Sequence, residues 1–260
     1  MEIAYTRAGS GVPLVLLHAF PLSSQMWGAQ RGGLSRESDV VTPDQRGFGE
    51  SASPDAFQGV PADLNEAVDD LVRLLDQLEL PRVVLGGLSM GGYVALAFAR
   101  RYPDRLRGLL LANTKASADP AEAAANRHRI ADAVQRAGTS EPLLTEVFPK
   151  LLAPGAAERA PKLAESVAEL VRSAPPNAVA WAQRAMAGRT DTLEVLVSLA
   201  VPVLVIAGEA DALMARTEAD AMAGAARDAE LVTIPGAGHL SALEAPREFN
   251  EAVSGLLKRV

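Results

Sequence analysis

Five short apolar runs, separated by amphipathic segments, constrain the fold of this 260-residue chain most strongly. Each run is apolar on both faces and bounded by turn residues, which is typical of strands buried in a parallel sheet. The runs are VPLVLLHAF, SDVVTPD, PRVVLGGLS, LRGLLLANT and VPVLVIAGE, with AELVTIPGAGH as a sixth and MEIAYTRAGSG as an edge strand with a hairpin turn. Helical patterns lie between them, so we predict an α/β fold with a mostly parallel central sheet flanked by helices.

The alternation of strands and helices is interrupted between residues 115 and 198. This stretch is rich in Ala, Glu and Arg and contains several prolines, which favours short helices that end at Pro or Gly. We predict four of them, in AEAAANRHRIADAVQRAG, SEPLLTEVFPKLL, PKLAESVAELVRSA and NAVAWAQRAMAGR. The expected organisation is therefore a core made of residues 1–114 and 199–260, with residues 115–198 inserted as a helical unit.

Composition excludes several classes of function. The formal net charge of −7 argues against nucleic acid as a partner, because phosphate binding needs clustered Lys and Arg. Cysteine is absent, so thiolate metal sites and a cysteine nucleophile are not expected. The first residues lack the basic start of a signal peptide, and no apolar run approaches the roughly 20 residues of a membrane span. We therefore expect a cytoplasmic protein without a membrane partner.

One serine stands where a buried strand turns into a helix. Gly87-Leu88-Ser89-Met90-Gly91 fits the G-x-S-x-G pattern of a nucleophile elbow, in the expected strand-to-helix context. Glycines two residues before and after the serine let the chain pass itself in a sharp turn. The turn also leaves Ser89 at a helix N-terminus, where the backbone N–H of Met90 points at a developing oxyanion. The pattern predicts Ser89 as a nucleophile.

A serine nucleophile needs a base, and the chain contains three histidines. His128 lies between arginines in a predicted helix and is expected at the surface. His18 follows the first long strand and could reach the site, beside a loop better suited to anion stabilisation. His239 lies in a glycine-rich loop after the last strand, at the sheet edge where active-site groups gather. We predict His239 as the base.

The base in turn needs a carboxylate to orient its ring. Glu209 and Asp211 both follow the strand VPVLVIAGE, and either could project from that loop. We favour Asp211, which lies three residues beyond Gly208 and far enough into the loop to face its neighbour. Glu209 is expected to bind backbone or to cap the next helix. The resulting chain order, Ser89 then Asp211 then His239, resembles the order of the triad in α/β-hydrolases.

These motifs resemble the α/β-hydrolase superfamily over nearly the whole chain. In order, LLHAFPLSSQMW, DQRGFGES, GLSMGG, AGEAD and GAGHLSALEAPREFN are similar to the oxyanion loop, the following turn, and the nucleophile, acid and histidine segments. The resemblance is strongest to the esterase, 3-oxoadipate enol-lactonase and cofactor-free haloperoxidase branch. It implies the α/β-hydrolase fold, with residues 115–198 as a cap after the strand that the family counts as its sixth.

The resemblance also implies a second oxyanion donor, the backbone N–H of Phe20, paired with that of Met90. The loop contains Ala19 where the family usually has glycine. If the loop needs a glycine-favoured conformation, Ala19 costs about 1 kcal/mol there. Asp44 and Arg46 in DQRGFGES are expected to brace a turn.

Together these features predict a serine hydrolase that cleaves a carboxylic ester or lactone through an acyl-enzyme. The alternatives are perhydrolysis by the same triad, with hydrogen peroxide in place of water, and a small-molecule receptor with little turnover. We expect no metal and no cofactor. The alanine- and leucine-rich cap predicts a modest apolar pocket. His18, Trp27 and Trp181 are candidate substrate contacts, although Trp27 could instead anchor a helix, and Trp181 and Met186 are more typical of core.

Overall fold

All the predicted strands are present in the computed structural model, which describes residues 1–260. Most are shorter than the apolar run that predicted them, because the polar end of the run already belongs to a loop. The strands are β1 (Tyr5–Gly9), β2 (Val12–Leu17), β3 (Ser38–Pro43), β4 (Val83–Leu88), β5 (Leu106–Ala112), β6 (Val203–Gly208) and β7 (Ala229–Ile234).

The seven strands form one sheet in the order β1-β3-β2-β4-β5-β6-β7. β1 is antiparallel to β3, and every other neighbouring pair is parallel, which confirms the predicted sheet. Because β3 and β4 lie on opposite sides of β2, the chain changes winding direction there. Ligands of open α/β sheets bind beyond the carboxyl ends of the strands at such a point. Leu17 of β2 is aligned with Gly87 of β4, so the loops that follow these strands lie side by side.

Helices flank the sheet, and their apolar positions show why they form. In the second helix, Leu64, Val68, Leu71 and Leu75 recur at three- and four-residue spacing and are buried, and the Asp63 carboxylate caps the first turn by accepting the Asn65 N–H at 2.8 Å. The helices outside residues 115–198 are α1 (Gly28–Leu34), α2 (Leu64–Gln77), α3 (Met90–Arg101), α10 (Arg216–Ala225), α11 (Ser241–Glu244) and α12 (Pro246–Leu257).

Six helices, not the predicted four, lie between β5 and β6. The predicted helix SEPLLTEVFPKLL stops at Glu146 and continues as a 3₁₀ turn, Phe148–Lys150, because Pro149 lacks the N–H that an α-helix needs. Two short helices were not predicted at all, one after Gly155 and one at residues 193–198. The six are α4 (Ala121–Ala137), α5 (Pro142–Glu146), α6 (Ala156–Arg159), α7 (Pro161–Ser173), α8 (Pro176–Ala187) and α9 (Leu193–Ser198).

The helices of the segment 115–198 do not all pack in the same place. α4 and α8 pack against each other, whereas α9 contacts α3 and α10 beside the sheet. Buried apolar side chains of this segment and of the sheet belong to one contiguous hydrophobic cluster. The division into a core and an inserted cap stays a prediction. No helix has the length and apolar character required to cross a membrane.

Candidate active site

Ser89 lies in the turn between β4 and α3 and has a strained backbone. Its φ of 55° and ψ of −113° place it outside the regions that a side chain ordinarily allows. The Ser89 N–H donates to the Ala112 carbonyl at 2.9 Å, and the Ser89 carbonyl accepts the Gly92 N–H at 2.9 Å and the Thr114 hydroxyl at 2.8 Å. These bonds hold the strained conformation, which turns the serine side chain away from both elements.

The glycines of the elbow are required by backbone contacts. A Cβ on Gly87 would lie 2.1 Å from the carbonyl carbon of Gly91, and a Cβ on Gly91 would lie 2.2 Å from the Leu17 oxygen. Real Cβ atoms do not approach other atoms so closely, so neither position accepts a side chain without movement of the backbone. The β4–α3 turn therefore packs backbone against backbone.

His239 and Asp211 are joined by a hydrogen bond. The two carboxylate oxygens of Asp211 lie 2.9 and 3.1 Å from His239 Nδ1, and both side chains are almost completely buried. The Leu213 and Met214 N–H groups donate to Asp211 Oδ1 at 2.8 and 3.1 Å. A carboxylate at Nδ1 leaves Nε2 as the free nitrogen of the ring, which is the arrangement that a general base needs.

The pKa of Asp211 is lowered although the carboxyl is buried. Burial alone would raise it, because a charge loses its hydration. The hydrogen bond and charge of His239, together with hydrogen bonds from Asn113 and from the Leu213 N–H, outweigh burial and favour the ionised form. The carboxyl is therefore held as an acceptor for the imidazole.

Ser89 and His239 line the same cavity, which has a volume of about 250 Å³. Their side chains make no hydrogen bond to each other in this structure, while His239 is bonded to Asp211. In enzymes without bound substrate, such a contact is often long and shortens only in the reacting complex. The structure thus brings Ser89 and His239 to one cavity and joins His239 to Asp211.

Asn113 is a site residue that the sequence analysis missed. It follows β5 with a left-handed φ of 45°, and its Nδ2 donates to Asp211 Oδ2 at 2.9 Å and to the Gly238 carbonyl at 3.2 Å. The hydroxyl of Ser241 donates to its Oδ1. Asn113 therefore links Asp211 to Gly238 and Ser241, which lie on either side of His239 in the chain. A polar residue directly after a buried parallel strand was the available signal.

Glu244 is a second residue that the sequence analysis did not single out. Its carboxylate accepts the Gly238 N–H at 3.0 Å and the Ala153 N–H at 2.8 Å, so it joins the His239 loop to the segment between α5 and α6. Burial raises the pKa of Glu244, and the nearby charge of Asp211 acts in the same direction, against these hydrogen bonds.

The two predicted oxyanion donors are the backbone N–H groups of Met90 and Phe20. Met90 is the first residue of α3, so its N–H has no acceptor within the helix. The Phe20 N–H has no acceptor in the protein, and Phe20 lines the cavity with Ser89. Ala19 has no left-handed φ, and its N–H donates to the sulfur of Met26 at 3.2 Å. The expected conformational cost of Ala19 is therefore absent.

The cavity is more polar than its cap composition predicts. Half of its lining residues are polar or charged, among them Lys115, Asp119 and Arg127, so the modest cavity combines the expected apolar surface with a charged wall. Met186 is buried, as expected, and also lines the cavity. The composition of the helices does not reveal this charged wall, because Lys115 and Asp119 lie in the loop before α4 and only Arg127 is a charged lining residue of that helix.

A model of the alpha/beta hydrolase family matches residues 14–252, from β2 into α12. The chain belongs to the alpha/beta hydrolase family.

Several known proteins are similar to this alpha/beta hydrolase over nearly its whole length. The 3-oxoadipate enol-lactonase 2 of Acinetobacter baylyi is 27% identical over 246 residues, which are 95% of this chain and 88% of that protein. The structure of a thermophilic esterase from Thermogutta terrifontis with malate bound is 41% identical, has a TM-score of 0.93, and covers 98% of this chain and 93% of that one. A bromoperoxidase from Bacillus anthracis is 26% identical, with a TM-score of 0.85 and coverage of 98% and 95%. The chain is thus related to the esterase and enol-lactonase branch.

His18 does not line the cavity of this hydrolase, which corrects its assignment as a substrate contact. The His18 ring is fully buried; its Nε2 accepts the Gln45 N–H at 2.9 Å, and its Nδ1 lies 3.0 Å from the Ala19 carbonyl. Burial lowers its pKa, against the Ala19 carbonyl and the charge of Asp44, so the ring is neutral and positions the loop that carries Phe20.

Trp27 and Trp181 are also absent from the cavity lining. Trp27 is completely buried against Phe249, so it anchors the end of its helical turn. The indole N–H of Trp181 donates to the Pro61 carbonyl at 2.9 Å, and its ring packs against Phe57, which joins α8 to the loop before α2. Neither ring reaches the cavity, and the indole N–H of Trp27 is buried without a hydrogen-bond partner.

The remaining polar residues considered from the sequence have structural surroundings. Asp44 accepts the Ser24 and Glu50 N–H groups at 2.6 and 2.9 Å, and Arg46 forms a buried ion pair with Asp70 at 2.8 Å. Glu209 accepts the Gly236 N–H at 2.8 Å, and His128 is exposed. No group of three or more His, Cys, Asp or Glu side chains is arranged to hold a metal ion.

Proposed function

We propose that this protein is a serine hydrolase that cleaves a carboxylic ester or lactone with Ser89 as nucleophile, His239 as base and Asp211 as the residue that orients the base. The observation that carries the proposal is the cavity shared by Ser89, in its strained elbow, and His239, whose other nitrogen is bonded to the Asp211 carboxylate. An esterase and an enol-lactonase among the relatives support an ester or lactone as the substrate class.

In the first half-reaction the Ser89 oxygen attacks the carbonyl carbon while His239 Nε2 takes the hydroxyl proton. The carbonyl oxygen becomes an oxyanion, which the N–H groups of Phe20 and Met90 stabilise. The intermediate then collapses, the carbon–oxygen bond to the leaving alkoxide breaks, and the imidazolium returns the proton to that alkoxide. The product is an acyl-enzyme; with a lactone, the alcohol remains attached to the acyl group.

The second half-reaction repeats these steps with water. His239 removes a proton from a water molecule, the hydroxide oxygen attacks the acyl carbon, and the same two N–H groups stabilise the second oxyanion. Cleavage of the ester bond to Ser89 releases the carboxylic acid, and the proton on His239 returns to the serine oxygen. Asp211 stabilises the imidazolium in both halves without becoming protonated.

A fluorophosphonate probe tests the nucleophile directly, because it phosphonylates an activated serine. We expect labelling of the wild type, at least about a 10³-fold loss with Ser89→Ala, and no change with Ser166→Ala, an exposed serine on α7. Absence of labelling in the folded wild type would contradict the proposal and favour a receptor with little turnover.

The substrate class is tested with p-nitrophenyl esters of increasing acyl length, measured beside a panel of lactones. We expect a Ser89-dependent kcat/KM with an optimum in one of the two series, because a cavity of about 250 Å³ accepts only small or medium acyl groups. Turnover of neither series, with the Ser89 label intact, would place the substrate outside esters and lactones.

Perhydrolysis is a second candidate, favoured by the similarity to a bromoperoxidase. Here hydrogen peroxide replaces water in the second half-reaction and forms a peracid, which oxidises bromide in solution. Bromination of monochlorodimedone with and without acetate tests this activity. An acetate-dependent rate that disappears in Ser89→Ala supports it, and no acetate-dependent rate excludes it.

A further inference from the structure

An excess of positive charge surrounds one buried carboxylate beside the cavity. The Asp119 side chain is 2% exposed; Lys115 Nζ and Arg189 Nη1 each lie 3.0 Å from it, and Arg127 Nε donates to it. Three cations therefore share one anion, in a protein whose formal net charge is −7. The other carboxylate of the lining, Glu146, is paired with Arg129 on the outer face of α4 and does not compensate this excess.

Arg127 is the cation of this cluster with unused hydrogen-bond donors. Its Nε is bound to Asp119, its Nη1 donates to Gln183 Oε1 at 3.2 Å and contacts the Met186 sulfur at 3.5 Å, and the rest of the guanidinium is next to the Tyr93 hydroxyl, its one remaining neighbour with an oxygen to accept. The residue lines the cavity. A guanidinium held on one side by a carboxylate and a side-chain amide has little rotational freedom left to lose on binding, and its free N–H groups match a carboxylate.

A second polar atom that is not fully satisfied lies in the same wall. The hydroxyl of Tyr93 is buried, with the Arg127 guanidinium beside its oxygen, and its proton has no acceptor in the protein, although most buried polar atoms are satisfied. Tyr93 lines the cavity with Ser89, and the Arg189 guanidinium lies 4.1 Å above its ring. An anionic group beside Arg127 would give the guanidinium a further acceptor and the Tyr93 hydroxyl proton its first one.

We infer that Arg127, supported by Lys115 and Arg189 and with the Tyr93 hydroxyl beside it, binds a carboxylate group of the substrate. The substrate class is then a half-ester or a lactone that carries a free carboxylate away from the bond that is cleaved. This inference rests on the proposed hydrolase function. Lys150, an exposed lining residue without an ion pair, adds positive charge at the cavity and increases the rate of encounter with an anion.

The competing explanation is that the cluster only braces the chain after β5 against α4. The two explanations differ in one measurable quantity, the preference between charged and neutral substrates. A brace affects every substrate alike, because it acts on the shape of the cavity. A carboxylate contact affects only the substrate that carries the charge.

The test compares monomethyl esters of straight-chain diacids, from succinate to suberate, with methyl esters of monocarboxylic acids of equal length. We expect wild type to favour the charged ester by at least about 10-fold at one chain length, since a hydrogen bond to a charged group gives about 10–100-fold in affinity. Arg127→Gln should lose most of this ratio through KM, while neutral esters change by less than about 3-fold. Arg127→Lys should keep part of it, and Arg136→Gln, an exposed arginine of α4, should keep all of it.

A preference of wild type for the neutral ester at every chain length, or an equal loss on both esters in Arg127→Gln, would overturn the inference while leaving the hydrolase proposal intact. Binding separates the two proposals further. Calorimetry on Ser89→Ala with the same diacids measures the carboxylate site without turnover. Diacid binding that disappears when Arg127→Gln is added supports the site even if no ester is cleaved, and equal binding in both variants contradicts it.

Discussion

The cavity has two walls that are built from different kinds of contact. On the sheet side, the elbow of Ser89 packs backbone against backbone, and added atoms at Gly87 or Gly91 would meet main chain at 2.1–2.2 Å. On the helical side, three cationic side chains, Lys115, Arg127 and Arg189, meet around the Asp119 carboxylate. The sheet side therefore restricts the residue type by shape. On the helical side, we expect that a charged residue can be replaced without altering Ser89, His239 or Asp211.

The largest expected effect comes from adding one methyl group to the sheet side. Gly91→Ala places a Cβ 2.2 Å from the Leu17 oxygen, so the elbow must shift. We expect a loss of about 2–3 kcal/mol in the free energy of unfolding, with loss of Ser89 labelling. Gly255→Ala is the matched control, because Gly255 also lies in a helix and nothing lies within 4 Å of its added Cβ.

Chemical denaturation measures both variants. The control should be stabilised by up to about 1 kcal/mol, since alanine restricts the unfolded chain more than glycine does. Equal changes in Gly91→Ala and Gly255→Ala would show that the elbow is less tightly packed than the structure indicates, and would remove the contrast between the two walls.

A smaller effect is expected at Asn113, which links Asp211 to the Gly238 carbonyl. Asn113→Gly keeps the left-handed backbone and removes the side chain, so it tests the hydrogen bonds alone. We expect kcat to fall about 10-fold with KM nearly unchanged. Because the lost bond helps to lower the pKa of Asp211, the Asp211 carboxyl should take up its proton at a higher pH in the variant.

An NMR titration profile of the Asp211 carboxyl, recorded beside wild type, measures this change, and steady-state kinetics measure kcat and KM. The direction is fixed by the sign of the effect: without Asn113 the carboxyl of Asp211 binds its proton more readily, so the ionised form is lost at a higher pH. An unchanged profile, or a higher KM at constant kcat, would argue against a positioning role.

The smallest expected effect concerns the helical side and depends on pH. Burial raises the pKa of Asp119, but the charges of Arg127 and Arg189 and the hydrogen bonds from Arg127 and Lys115 lower it to about 2, against an ordinary value of 3.8. A carboxyl whose pKa is lowered by folding makes its full contribution to stability when the pH is above the ordinary pKa of the group. This contribution is then lost as the pH falls towards about 2.

Asp119→Asn tests this dependence, since the amide cannot ionise. We expect wild type to be more stable by about 1–2 kcal/mol near neutral pH, after allowance for screening by solvent, and the difference to narrow as the pH falls below about 4. Urea unfolding at several pH values measures it. A constant difference at every pH would show that the carboxylate gains nothing from its three cationic neighbours.

Much of the sheet side could be predicted from the sequence because shape and periodicity restrict it. Buried strands need apolar residues on both faces, and the elbow needs glycines around Ser89, so both leave a local pattern. His239 and Asp211 were found because each follows a strand at the edge where the loops of a parallel sheet meet. The structure joins these two and places Ser89 in the cavity with His239; their catalytic roles remain the subject of the proposal.

The helical side could not be predicted in the same way. The four residues Lys115, Asp119, Arg127 and Arg189 are spread over 75 positions and have no common spacing, and only the folded chain brings them together. Trp27 and Trp181 were candidate substrate contacts, but their rings pack against Phe249 and Phe57 instead. A sequence does not show which of these partners a ring will meet. Asn113 was missed because a single polar residue after a strand has no distinctive pattern.

The hydrogen bonds of Glu244 have a consequence for how a substrate enters. The Leu151 carbonyl accepts the Leu240 N–H at 3.0 Å, and Ala153 donates to the Glu244 carboxylate, so two bonds fasten residues 151–153 to the chain around His239. Lifting that edge would disturb the base itself. We therefore expect a substrate to enter the cavity away from residues 151–153, by a route that leaves His239 undisturbed.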